Sequence, residues 1–99
     1  MIYSIEEIRR IAVPIARRHG VKRVRLFGSY ARGEATENSD VDFRVDCGRI
    51  NDLFAMGALY VDLQEKLQKP LDIVTTEGLD ADFLAKIQPD EVLLFEQQG

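Results

Sequence analysis

From Asp40 to Asp46 the chain reads Asp-Val-Asp-Phe-Arg-Val-Asp, a strict alternation with Val41, Phe43 and Val45 pointing one way and Asp40, Asp42, Arg44 and Asp46 the other. Such a segment is satisfied as a strand with one side on an apolar core and the other open to polar partners. An all-helical bundle has no place for it. The sheet it implies needs helices to cover its apolar side, and the rest of the chain offers them.

Ser4 followed three residues later by Glu7 is a capping box, after which Ile5, Ile8, Ala12 and Ile15 recur at helical spacing until Gly20 offers a stop. Pro14 lies inside this run and predicts a kink or break near Val13. Val21 to Phe27 is a β-branched and apolar segment interleaved with Lys22, Arg23 and Arg25, which reads as a strand ending at Gly28. From Ile50 to Gln68, Leu53, Met56, Leu59, Tyr60, Leu63 and Leu67 mark one helical face, and Lys69-Pro70 ends it. Leu71 to Thr75 reads as a third strand. Leu79 to Phe95 reads as a helix interrupted at Pro89. The expected order is α-β-α(short)-β-α-β-α, an α+β class in which a small mixed sheet is flanked by helices as an α/β sandwich. With 99 residues of which 45% are apolar, a single domain over 1–99 is expected.

The charge balance narrows the partners. A formal net charge of −4 argues against a dedicated nucleic-acid binder, whose phosphate contacts need clustered Lys and Arg. One cysteine, Cys47, and one histidine, His19, leave neither an internal disulfide nor a Cys/His zinc set. The first twenty residues carry Arg9, Arg10, Arg17 and Arg18 without the apolar run of a signal peptide, and no stretch is long enough to span a bilayer. A cytoplasmic location follows as the expectation.

Two aspartates at i and i+2 on a strand share a face, and their mutual repulsion raises a pKa unless a cation sits between them. A divalent metal is the natural cation. Mg²⁺ prefers carboxylate and phosphate oxygens and keeps some of its waters, which suits an open strand face meeting a nucleoside triphosphate, and Mn²⁺ can stand in its place. Asp72, at the matching point of the next strand, is a candidate third carboxylate, and such a set can hold two metals about 3.5–4 Å apart. Upstream, Gly28 and Ser29 stand where a strand turns into a short helix through Tyr30, Ala31 and Arg32. A helix start presents free N–H groups to an anion, so this corner is a candidate phosphate seat, with Arg32 either near the phosphates or paired with Glu34 at the surface. The spacing from Gly28 to Gly33 matches a Walker A loop, but Glu34 stands where the lysine belongs.

Ser29, ten intervening residues and then Asp40-Val41-Asp42 resemble the GS-x10-DxD signature of the polymerase-β-like nucleotidyltransferase superfamily. FGSYARGEATENSDVDFRVD, the helix after it and PLDIV with Asp72 are similar to the minimal nucleotidyltransferases encoded beside HEPN-domain partners. The resemblance implies a polymerase-β-like nucleotidyltransferase fold and metal-dependent transfer of a nucleoside monophosphate. Asp40 and Asp42 would be metal ligands, and Asp72 the third catalytic carboxylate and a further ligand. Gly28 and Ser29 would hold the β and γ phosphates. It further implies AMP transfer from ATP to a tyrosine of a HEPN ribonuclease toxin, silencing it. Two alternatives remain open: an antitoxin that neutralises its partner by masking it, and an aminoglycoside-type transferase acting on a small molecule.

Overall fold

The computed structural model describes residues 1–98. Helix α1 (Ile5–His19) begins with the capping box intact, Glu7 N–H donating to Ser4 Oγ at 3.1 Å and Ser4 N–H to Glu7 Oε1 at 2.8 Å, and it stops at Gly20 with φ 75°. The helix runs unbroken through Pro14, which occupies the exposed side. Strand β1 (Arg23–Phe27) leads directly into α2 (Gly28–Arg32). Strand β2 (Val41–Asp46), helix α3 (Leu53–Leu67) and strand β3 (Leu71–Thr75) form a β-α-β crossover, which is what parallel pairing of two strands requires.

The segment read as a second long helix is different. A short helix α4 (Ala81–Ile87) is capped by Asp80, a 3-10 turn at Gln88–Asp90 contains Pro89, and the chain then forms a fourth strand, β4 (Val92–Glu96). Val92 to Phe95 disguises its strand character because a bulge interrupts its pairing with β1: Leu93 faces Arg25 and Phe95 faces Val24. Leu94 and Phe95 are consequently buried side by side, and the alternation that marks an ordinary strand is lost. Leu53, expected on the apolar face of α3, instead stands in its first turn, 84% exposed.

The sheet has the order β3-β2-β1-β4, with β2 and β3 parallel and the other pairs antiparallel. One side is covered by α1 and α3. There Ile8, Ala12, Ile15 and Ala16 of α1 and Leu59, Leu63 and Leu67 of α3 pack with Val24, Leu26, Val41, Phe43 and Val45. This is the α+β arrangement of a mixed sheet flanked by helices. On the opposite side α4, which buries no residue of its own, meets the sheet through Phe83 on Phe27. No described helix is long and apolar enough to cross a membrane.

Candidate active site

The register assembles the site. Phe27 of β1 lies opposite Asp42 of β2, and Asp42 lies opposite Asp72 of β3, so the three side chains form a row on the side of the sheet that α1 and α3 leave open. Asp40 stands exposed immediately before β2, at the end of a loop whose turn is closed by Ser39 N–H to Thr36 O at 3.1 Å and Thr36 N–H to Ser39 Oγ at 2.9 Å. Val41 N–H then donates to Pro70 O at 3.1 Å, and this bond starts the β2–β3 ladder one residue after Asp40.

Burial is the main cause that lifts the Asp42 carboxyl to about 6, with the charges of Asp72 and Asp40 adding to it and Arg32 opposing it. A carboxylate so raised wants a counter-charge. Among the described residues no three His, Cys, Asp or Glu side chains are gathered tightly enough to cage a metal by themselves. Asp42 and Asp72 meet, while Asp40 stands apart within range of its charge. An oxygen-only donor set with excess negative charge still fits a hard cation such as Mg²⁺, which takes one or two carboxylates and completes its shell with water and substrate phosphate.

Gly28 has φ +74°, and a Cβ built on it would lie 2.2 Å from Asp42 Oδ2. The position therefore needs glycine twice, for its left-handed backbone and for the carboxylate beside it. Sequence logic assigned this glycine to phosphate approach; its contact with Asp42 is a second role that only the register exposes. Ser29 follows in the first turn of α2, and its carbonyl accepts Glu34 N–H at 2.9 Å. Arg32 donates from Nε to Glu34 Oε1 at 2.9 Å. That bond raises its pKa, as do the nearby charges of Glu34, Asp90 and Asp42.

The polymerase β nucleotidyltransferase family profile matches residues 9–99. The chain belongs to this family. As a nucleotidyltransferase it is an enzyme that moves nucleotides, and its relatives agree. It is 44% identical over 76 residues to a Methanocaldococcus jannaschii protein provisionally named a protein adenylyltransferase, spanning 77% of this chain and 82% of the relative. It is 37% identical over 87 residues to the protein adenylyltransferase MntA of Thermococcus cleftensis, spanning 84% of this chain and 78% of that one. A solved complex of a tri-AMPylated Shewanella oneidensis HEPN toxin with an MNT antitoxin contains a chain of the same fold, with TM-score 0.71 at 18% identity over 93% of this chain and 72% of that one.

Sequence reasoning missed what supports the site of this nucleotidyltransferase. Arg44, two residues beyond Asp42 on the same side, is only 4% exposed and is held by Glu91 through Nε at 2.6 Å and Nη2 at 2.7 Å, with Nη1 on Thr76 Oγ1 at 2.7 Å. It is therefore spent on tying β2 to the turn before β4. Asp46, which burial alone would raise, is held below the ordinary carboxylate value by the Thr76 hydroxyl, Arg23 and Arg25. Lys69, also buried, donates to Met1 O at 2.6 Å and Glu37 O at 3.0 Å, and so anchors the loop that delivers Asp40. These pairs join residues from 21 to 68 positions apart, beyond any local pattern.

Proposed function

We propose that residues 1–99 form one nucleotidyltransferase unit that moves AMP from ATP to a tyrosine hydroxyl of a HEPN ribonuclease and thereby acts as its antitoxin. The observation that carries this is the seating of the Asp42 carboxylate against Gly28 at the start of α2, which supports a phosphate seat and a metal seat side by side. In this scheme Gly28 and Ser29 hold the β and γ phosphates through the backbone N–H groups and the serine hydroxyl, with Arg32 at their edge. Asp40 and Asp42 hold the divalent ion, with Asp72 completing the set. A bound Mg²⁺ or Mn²⁺ would stabilise charge on the transferring phosphate and ease deprotonation of the acceptor.

The acceptor oxygen forms a bond to the α-phosphorus, the bond from that phosphorus to the β-phosphate oxygen breaks, and pyrophosphate leaves. Asp72, beside Asp42 on the next strand, takes the phenolic proton. The relatives named as adenylyltransferases and the AMPylated toxin in the solved complex support the choice of AMP and of a HEPN partner.

The test co-expresses the chain with the product of its adjacent gene and measures that product's intact mass, with Asp42→Ala as the control. The expected result is a mass gain of one or more AMP units, placed on tyrosine by fragmentation and absent with Asp42→Ala. A partner neutralised without any mass change would make the chain a masking antitoxin. Transfer only to small-molecule hydroxyls would make it an aminoglycoside-type enzyme.

A further inference from the structure

Phe83 is the aromatic residue of α4, and its ring meets Phe27 edge to face with centroids 6.3 Å apart. Phe27 shares the Asp42–Asp72 row, so Phe83 stands on the same side of the sheet as the carboxylates, one ring beyond the residue next to Asp42. Phe83 is 38% exposed, and it borders an open hollow of about 470 Å³ with Asp80, Ala81, Asp82 and Lys86. The other aromatic residues do not offer such a surface. Phe27, Tyr30, Phe43 and Phe95 are buried, and Phe54 and Tyr60 lie on α3, behind the sheet. Tyr3 donates its hydroxyl to Leu67 O, at the end of that same helix.

We propose that Phe83 is the nucleobase platform of this site. The inference rests on the proposed phosphate and metal seats and adds the residue that would hold the remaining part of the nucleotide. In-line displacement puts the acceptor opposite the leaving phosphates. With those phosphates at Gly28, beyond β1, the acceptor enters on the β3 side by Asp72, and the ribose and base must leave that line. The exposed aromatic surface beside the row is Phe83. An unpaired base stacks on such a ring whatever its identity, since every base has a π-face. The ring itself selects by stacking area and so favours purines over pyrimidines, while Asp80, Asp82 and Lys86 border the same hollow.

The chain contains no tryptophan, so Phe83→Trp introduces a single fluorophore at the platform. With Mg²⁺ present, ATP should quench its emission and inorganic tripolyphosphate should not. Phe83→Leu keeps an apolar contact on Phe27 without a stacking ring. It should weaken ATP binding about ten-fold and CTP binding less, with tripolyphosphate affinity unchanged. The platform is overturned if Phe83→Leu binds ATP as tightly as the parent, or if ATP and tripolyphosphate weaken by the same factor. Unchanged nucleotide affinity with loss of transfer would hand the ring to the acceptor and overturn it as well. A parent chain that binds neither ligand would overturn the proposed function together with the platform. A parent that binds both, matched by Phe83→Leu, overturns the platform alone.

Discussion

Asp42 and Asp46 lie four residues apart on one strand and point to the same side, yet their surroundings push them in opposite directions. Asp46 sits among Arg23 at 2.9 Å, Arg25 at 3.3 Å and the Thr76 hydroxyl, and its carboxyl is held below its ordinary value. Asp42 has burial and two like charges against it and the charge of Arg32 in its favour, and its carboxyl is raised to about 6. The same side of one sheet thus contains a saturated half and an unsaturated half. Charge that is matched inside the protein serves stability, whereas charge left unmatched is available to something that binds.

The sharpest way to break the comparison is to remove each aspartate in turn. Asp46→Ala leaves Arg23 and Arg25 without their shared partner and Arg44 with the charge of Glu91 alone, and should cost about 2–3 kcal/mol in thermal or urea unfolding. Asp42→Ala should leave the stability of the metal-free chain unchanged or raise it, because it removes one member of a repelling group. A loss for Asp42→Ala as large as that for Asp46→Ala would dissolve the distinction.

Gly28→Ala probes the unsaturated half without altering its charge. The left-handed backbone and the Asp42 oxygen 2.2 Å from the new methyl should together cost about 1–2 kcal/mol and turn the carboxylate away, so transfer should fall much further than stability. Activity retained at the parental level would show that the Asp42 position against α2 is not used.

The smallest effect is in the pH dependence of the metal-free chain. Asp42 has a folded pKa of about 6 against an ordinary 3.8, so between these values the folded chain keeps a proton that the unfolded chain has lost. Its contribution to stability is complete below about pH 3.8 and disappears as the pH rises through 6. Asp46, being lowered, contributes in the opposite sense: its share is present above 3.8 and is lost as the pH falls. The free energy of unfolding should therefore decline between about pH 5 and 7 by roughly 1 kcal/mol, allowing for solvent screening at a half-exposed group, and the melting temperature should fall with it. Asp42→Asn should flatten that limb alone, and a decline of equal size in Asp42→Asn would assign it elsewhere.

The alternation over Asp40 to Asp46 was enough to place Asp42 opposite the core, and the spacing of Ser4 and Glu7 was enough to start α1, because both are local patterns. The strand at Val92 to Glu96 was hidden by a bulge, which is a property of its pairing with β1 and leaves no period in the sequence. The site divides in the same way. Glycine followed by serine at the end of an apolar segment announces a corner, but only the β1–β2 register reveals that Gly28 touches Asp42. The clamp of Arg44 on Glu91, 47 residues away, depends on a strand that the periodicity did not reveal.

The parallel pairing of β2 and β3 has a consequence for how this site can be inherited. Asp42 and Asp72 are separated by thirty positions and a whole helix, yet their spacing is fixed by neighbouring strands, about 4.8 Å apart. A one-residue slip of β3 would turn Asp72 toward α1 and α3 and bring Leu71 out to the carboxylates, a double fault. The sheet acts here as a ruler with two-residue graduations. Descendant sequences are free to lengthen or shorten the connections at either end of α3, but only by changes absorbed before Lys69-Pro70, where the count toward Asp72 begins.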